Sequence, residues 1–257
     1  MAEKLNKEIK HYFRNIFIKI NFYDILRYMK GFMKQNNTWK TWEICWIVFA
    51  TLTILSTSLY WKDNLVGIIA ALTGIWCVIL TGKGKISSFY FGTINTILYA
   101  VVAWKARYWG EVMLNLIYYL PTNFIGIYLW KKNLNTKTEE VKKEKLTLKS
   151  SIIIYSLLIV STFAYSFILK ILKGTLPLVD SMSTVFSVFA QILCIKRCRE
   201  QWILWIIVDV VTVFMWIYAF IQGTGDFATI LMWSIYLVNA ILMLVKWVKE
   251  TEKNKGN

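Results

Sequence analysis

EVMLNLIYYLPTNFIGIYLWKKNLNTKTEEVKKEKLTLK, residues 111–149, is the stretch whose reading decides the fold. Its first 20 residues are predominantly apolar and stop at a Lys pair; that is the length a helix needs to cross the hydrocarbon of a bilayer. The 19 residues that follow hold seven Lys. An apolar helix running into a basic loop is the pattern of a membrane span that ends on the cytoplasmic side.

Seven further apolar segments repeat the pattern, at about 41–60, 65–82, 86–104, 150–169, 177–195, 200–222 and 227–247. The connections alternate in charge. Both ends of the chain and every second loop carry 25 of the 30 Lys and Arg, while the opposite face has Lys62, Lys105, Arg107, Lys170 and Lys173. The split predicts an all-α, multi-pass membrane protein with eight crossings and both termini in the cytoplasm. A chain that is 57% hydrophobic and 16% aromatic agrees, since one soluble core of 257 residues could not hide so much apolar surface. The net charge of +15 lies mostly in cytoplasmic loops, where anionic head groups attract it, so membrane lipids are expected partners and nucleic acid is not.

Residues 1–40 interleave Leu5, Ile9, Tyr12, Phe13, Ile16 and Phe17 with Lys7, Lys10 and Arg14 at helical spacing, which predicts a basic amphipathic segment on the cytoplasmic leaflet. No cleavable signal peptide is expected there. The single histidine, His11, falls in this segment, so no histidine relay or histidine metal site is expected in the bilayer. Cys45, Cys77, Cys194 and Cys198 form no CxxC pair. With no deep pair of carboxylates either, no catalytic centre, metal or cofactor is expected.

The chain also contains a weak duplication. FGTINTILY (91–99) can be laid on WIIVDVVTV (205–213), setting Asn95 against Asp209; YLPTNFIGIYLW (119–130) lies on YLVNAILMLVKW (236–247), pairing Tyr119 with Tyr236 and Trp130 with Trp247. The predicted plan is a transmembrane helix at 41–60, a three-helix bundle at 65–130, the charged linker 131–149, a connecting helix at 150–169, a second three-helix bundle at 177–247 and a tail at 248–257. A shift of four crossings preserves orientation, so the two bundles are parallel repeats, an arrangement that places substrate between them at mid-membrane.

Polar groups at that depth are costly unless paired or facing a cavity, and they mark the candidate site. Asp209 alone among the carboxylates falls mid-span, because Glu43, Glu111 and Asp180 lie near helix ends and Asp226 lies in a loop. Either it is protonated or a cation completes it. Trp202 and Trp205 share its helix face. Asn115, Tyr119 and Asn123 recur every fourth residue beside Tyr118, with Pro121 loosening the backbone, and Asn95 and Tyr99 repeat the spacing. Gln191, Trp233, Tyr236 and Asn239 complete the set from the second bundle. Such amides and phenols bond sugar hydroxyls or a carboxamide, and the rings stack on heteroaromatics and attract cations; the same amides can instead tie helix to helix. Trp42, Trp46, Trp61, Trp104, Trp109, Trp130 and Trp247 lie near helix ends and are expected in the interfacial belts. Gly67, Gly74 and Gly126 are expected to permit close helix packing.

GEVMLNLIYYLPTNFIGIYLWKK (110–132), GIIAALTGIW (67–76), DSMSTVFSVFAQILCIKRCREQWILWIIVDVV (180–211) and the aromatic-rich last helix together resemble the Pnu vitamin-precursor transporters over about 65–250. The resemblance implies a three-plus-one-plus-three fold like that of SWEET sugar transporters, a bacterial cytoplasmic (inner) membrane, and facilitated diffusion by alternating access with cytosolic phosphorylation trapping the cargo. It also implies site roles for Asn95, Asn115, Tyr119, Asn123, Gln191, Trp202, Trp205, Asp209 and Asn239. Many relatives have Gly where this chain has Met243, a departure expected to concern packing. A lone deep carboxylate favours a cationic aromatic vitamin precursor as the small-molecule partner, and the sugar-binding amides favour nicotinamide riboside. Thiamine or another vitamin or nucleoside is the alternative, as is proton coupling through Asp209. Nothing in the sequence decides between a monomer and a homo-oligomer.

Overall fold

A computed structural model describes residues 39–61, 63–171 and 177–253. The amphipathic segment expected over 1–40 lies outside them apart from its last two residues. The described chain is helical: α1 (Thr41–Trp61), α2 (Leu65–Lys83), α3 (Ser87–Lys105), α4 (Trp109–Met113) passing through a π-helical stretch (Leu114–Tyr119) into α5 (Leu120–Lys131), α6 (Leu148–Ile171), α7 (Pro177–Ile195), α8 (Gln201–Ile221) and α9 (Phe227–Lys253). With α4 to α5 counted as one rod, each of the eight expected crossings is a helix. Six rods, α1, α2, α4 to α5, α6, α8 and α9, are long and apolar enough to cross a membrane. Helix α3, 19 residues, falls short on hydropathy, and α7 contributes a shorter apolar stretch, Ser181–Ile195; both carry buried polar groups, among them Ser88 and Thr96 on α3 and Ser187 and Gln191 on α7. Those groups are turned inward, where protein rather than lipid surrounds them.

Helix α9 runs on to Lys253, past residue 247 where the last crossing was expected to end. The two acidic residues of its extra turns are paired, Glu250 on Lys143 and Glu252 3.3 Å from Arg199.

Helix pairs α2 and α3, α7 and α8, and α8 and α9 pack as neighbours in sequence, and α6 packs on α7. Two long-range contacts close the bundle: α9 against α2, and α5 with the π stretch against α7. Helix α1 packs on both α2 and α9. Close approach at α2 needs glycine, since a Cβ on Gly74 would overlap the Tyr236 hydroxyl and one on Gly82 would overlap the Met243 thioether. The long Met243 side chain, 2% exposed, thus fills the room a glycine pair would otherwise leave.

The starts of α1 and α8 and the ends of α2, α5, α7 and α9 share one end of the bundle, where residues 132–147 form a folded strap. Val141 N–H donates to the Gly84 carbonyl at 2.8 Å, beyond α2, and Glu144 N–H to the Arg197 carbonyl at 2.9 Å, beyond α7. Gly84 (φ 85°) and Arg197 (φ 61°) both adopt the left-handed conformation that stops a helix. Beneath the strap lies a buried ion cluster: Glu43 of α1 meets Lys83 of α2 at 2.7 Å and Lys246 of α9 at 2.6 Å, Lys83 also meets Glu140 of the strap at 3.0 Å, and Lys143 joins Glu140 to Glu250. At the opposite end the Asp63 carboxylate caps α9, accepting from the backbone N–H groups of Phe227 and Ala228 at 3.3 and 3.0 Å. Burial, and then the neighbouring Asp226 carboxylate, push the Asp63 carboxyl above its ordinary range.

Candidate functional site

Twelve of the thirteen residues singled out in the sequence line one cavity: Asn95, Tyr99, Asn115, Tyr119, Asn123, Gln191, Trp202, Trp205, Asp209, Trp233, Tyr236 and Asn239. Its volume is about 120 Å³, below the roughly 300–1,000 Å³ typical of small-molecule sites. Tyr118 is the exception. It turns away, and its hydroxyl donates to the Val188 carbonyl of α7 at 2.8 Å. Adjacent residues on a helix point in different directions, so when Tyr119 faces the cavity Tyr118 cannot.

The π stretch is what aligns this wall. Pro121 has no N–H to give to the carbonyl four residues back, and the turn before it widens so that Leu120 N–H bonds to the Asn115 carbonyl five residues back. On a regular helix, side chains four apart drift around the axis; a turn of more than 3.6 residues offsets that drift. Positions 115, 119 and 123 therefore stay on the cavity side, and Glu111 joins them one turn earlier. Glu111 was read as a helix-end residue; the same four-residue spacing, carried back one step, was the signal for it. The cavity thus has two carboxylates, Glu111 and Asp209, and no Lys or Arg in its lining. Neither carboxylate forms an ion pair with a described residue.

Asn115 Nδ2 donates within its own rod to the Glu111 carbonyl at 2.8 Å; the other four amides in the wall both tie helices and face the cavity. Asn95 Nδ2 donates to the Ala70 carbonyl at 2.8 Å, Asn123 Nδ2 to Thr96 Oγ1 at 3.4 Å, Gln191 Nε2 to Thr122 Oγ1 at 3.3 Å and Asn239 Nδ2 to the Val78 carbonyl at 3.2 Å. The amide oxygens of Asn95, Asn123 and Gln191 are left as acceptors. Asn239 is held at both ends, because its Oδ1 accepts from Trp46 Nε1 at 3.2 Å. Trp46 was expected in the interfacial belt; helix packing brings it instead against α9.

Trp130 and Trp247 correct the belt expectation in the same way, for both are 0% exposed. Their indoles tie helices together: Trp130 Nε1 donates to the Cys194 carbonyl near the end of α7 at 3.1 Å, and Trp247 Nε1 to the Gly82 carbonyl near the end of α2 at 2.8 Å. Phe89 meets Trp130 edge to face at 4.9 Å, and Trp202 meets Trp247 likewise at 5.7 Å. Trp42, Trp61 and Trp104 are exposed at helix ends.

Of the ring-bearing residues in the wall, Trp205 of α8 lies 6.3 Å from Tyr119 of the π stretch. Trp202 is 2% exposed, and its indole N–H has no hydrogen-bond partner. Thr96, unremarked in the sequence, and Cys77 and Cys194, noted there only as cysteines without a CxxC partner, also line the cavity; small side chains in apolar helices give no signal of their own.

Two carboxyl groups, flat rings and amide oxygens around one cavity form a receptor for a small polar aromatic molecule. Nothing there resembles a nucleophile with its base. A nicotinamide riboside transporter PnuC from Neisseria mucosa is 35% identical over 223 residues, 85% of this chain and 85% of that protein. That from Haemophilus influenzae is 33% identical over 213 residues, 82% of this chain and 91% of its own. The crystal structure of the vitamin B3 transporter PnuC superimposes with a TM-score of 0.76 at 35% identity, covering 84% of this chain and 94% of that one. Residues 64–249 match the family described as nicotinamide mononucleotide transporter, and the chain belongs to that family of membrane transporters.

Proposed function

We propose that this protein carries nicotinamide riboside across the bacterial cytoplasmic membrane by facilitated diffusion, binding it in the cavity between the two halves and exposing that cavity to each side in turn, with cytosolic phosphorylation holding the gradient. The observation that carries the cargo is the charge of the cavity. Two carboxylates without a basic residue in the lining favour a pyridinium and oppose a phosphate. The riboside fits that sign and its mononucleotide does not, while the amide oxygens suit ribose hydroxyls and the carboxamide. Calorimetric titration with nicotinamide riboside, nicotinamide mononucleotide, thiamine, riboflavin and a deoxynucleoside tests this reading. Tightest binding of the riboside is expected; preference for thiamine would move the cargo within the family, and preference for the mononucleotide would overturn the charge argument. Uptake into vesicles that is unchanged by collapsing a proton gradient is the expected mark of facilitation, and strict dependence on the gradient would make Asp209 a proton carrier instead.

Trp202 and Trp205 are assigned to an aromatic wall against the cargo ring. Replacing Trp205 with Ala weakens binding by roughly 1 to 3 kcal/mol, by analogy with stacking on nucleobases. Unchanged affinity in a folded Trp202→Ala/Trp205→Ala variant would remove both from the site.

The halves are read as parallel three-helix repeats, α2 to α5 and α7 to α9, joined by α6 and preceded by α1. Matching Trp130 and Trp247 hydrogen bonds and matching left-handed stops at Gly84 and Arg197 support this. The strap end, where most of the described basic residues lie, is assigned to the cytoplasm. A cysteine placed at exposed Asn135 of the strap is therefore expected to react with a membrane-impermeant maleimide only in inverted or broken cells; labelling from outside intact cells reverses the topology.

A further inference from the structure

The Tyr99 hydroxyl in the cavity wall has an unusual pair of partners. Trp216 Nε1 donates to its oxygen at 2.8 Å, and Trp233 Nε1 donates to the same oxygen at 3.2 Å. An indole N–H is a donor only, so neither bond can run the other way. A phenolic oxygen has two lone pairs at most, and both are used. Tyr99 is left with its O–H, which can only donate, and no described residue accepts from it. Tyr99 is 3% exposed and lines the cavity; Trp216, 0% exposed, does not line it.

We infer that Trp216 is a positioning residue which, together with Trp233, fixes Tyr99 as an obligate hydrogen-bond donor, so that the cavity selects a cargo presenting an acceptor oxygen to Tyr99. The selection is chemical and does not depend on shape alone. A cargo offering an N–H at that point would meet the Tyr99 hydrogen head-on with no lone pair free to receive it, whereas a carbonyl or hydroxyl oxygen completes it. The geometry is stiff as well. Trp216 stands edge-on to both Tyr99, at 5.9 Å, and Tyr108, at 5.2 Å, and the Tyr108 hydroxyl donates to the Met215 carbonyl at 3.0 Å. Helix α3 supplies Tyr99, while α8 and α9 supply the indoles, so the donor is set where the two halves meet. The sequence marks Tyr99 and Trp233 as site candidates but gives no sign of Trp216, seven residues beyond Asp209.

This inference rests on the riboside reading for its choice of probes. Binding of nicotinamide riboside is compared by calorimetry with that of N-ribosylpyridinium, which lacks the carboxamide, and of the 2′-deoxy riboside. The unaltered protein is expected to prefer the parent to one of these by about tenfold, identifying the oxygen that faces Tyr99. Tyr99→Phe is expected to abolish that preference, and Trp216→Phe, which keeps an aromatic ring and leaves Trp233 to hold Tyr99, to reduce it several-fold. In the double variant no further loss of preference is expected. A merely structural Trp216 would weaken all three ligands by one factor and leave the ratio unchanged, and that result would overturn the proposal. So would a preference that survives Tyr99→Phe, or an unaltered protein indifferent to both oxygens. Failure of all three ribosides to bind the unaltered protein would instead refute the cargo reading, and the panel ligand that does bind, compared with its own deoxygenated analogue in the same variants, then decides the role of Trp216.

Discussion

Replacing Glu43 with Gln lowers the stability of the folded protein by about 3 to 5 kcal/mol. The carboxylate sits between two buried ammonium groups, Lys83 at 2.7 Å and Lys246 at 2.6 Å, and is itself 2% exposed. Glutamine keeps the size and loses the charge. Lys83 would retain Glu140 at 3.0 Å, but Lys246 would keep only the Gly82 carbonyl at 3.3 Å and its share of more distant charge. A buried ammonium without a counter-charge costs far more than the pair contributed. Thermal unfolding in detergent is the measurement, and because the cluster is shielded from solvent the loss should depend weakly on salt. The second arm is Glu43→Gln/Lys246→Met, which removes the stranded charge and should recover most of the loss. An unchanged midpoint in the single variant, or a double variant no better than the single, would show that the cluster does not hold this end of the bundle. Glu43 lies on α1, outside the 64–249 span that matches the family, so this result would also show that α1 is tied into the transporter rather than appended to it.

Asp209→Asn weakens binding of a cationic riboside by about 2 to 5 kcal/mol, the range for removing one partner of a buried charge pair, and weakens binding of its neutral, reduced-ring analogue much less. Asp209 is 2% exposed, faces the cavity and forms no ion pair with a described residue. The amide substitute retains shape and hydrogen bonding, so the difference between the two ligands reads charge alone. Glu111 leaves one anion in the cavity, and Asp209→Asn/Glu111→Gln is expected to deepen the loss for the cation selectively. Equal losses for charged and neutral ligands would mean that Asp209 acts as a hydrogen-bonding group, and the electrostatic case for a pyridinium would fall with it.

The candidate site could be read so far from sequence because helices repeat. A polar residue every third or fourth position in an apolar run must share a face, and lipid cannot be that face, which is why Asn115, Tyr119 and Asn123 were legible together. The misreadings occurred where the argument depended on distance from a helix end. Glu111, Trp46, Trp130 and Trp247 all lie near termini, and near a terminus a side chain can face head groups, another helix or the cavity with equal ease. Trp130 and Trp247 became buried because packing supplies a carbonyl at each, from Cys194 of α7 and Gly82 of α2. Tyr118 failed for the opposite reason, since proximity in sequence to Tyr119 says nothing about direction.

The sequence by itself determined the apolar helices, the uneven charge of their connections and the stripes that face inward, because a bilayer allows only internally bonded backbone and penalises every polar group that is not turned away from it. Only the tertiary structure decided how those stripes are completed. The pairing of α2 with α9 and of α5 with α7 brings Glu111 beside Asp209's cavity, sets two indoles on the Tyr99 oxygen and places Glu43 between two lysines. Each of these joins residues more than 30 positions apart whose partners are fixed by packing, and no local period in a chain can report a contact that exists only once the halves have met.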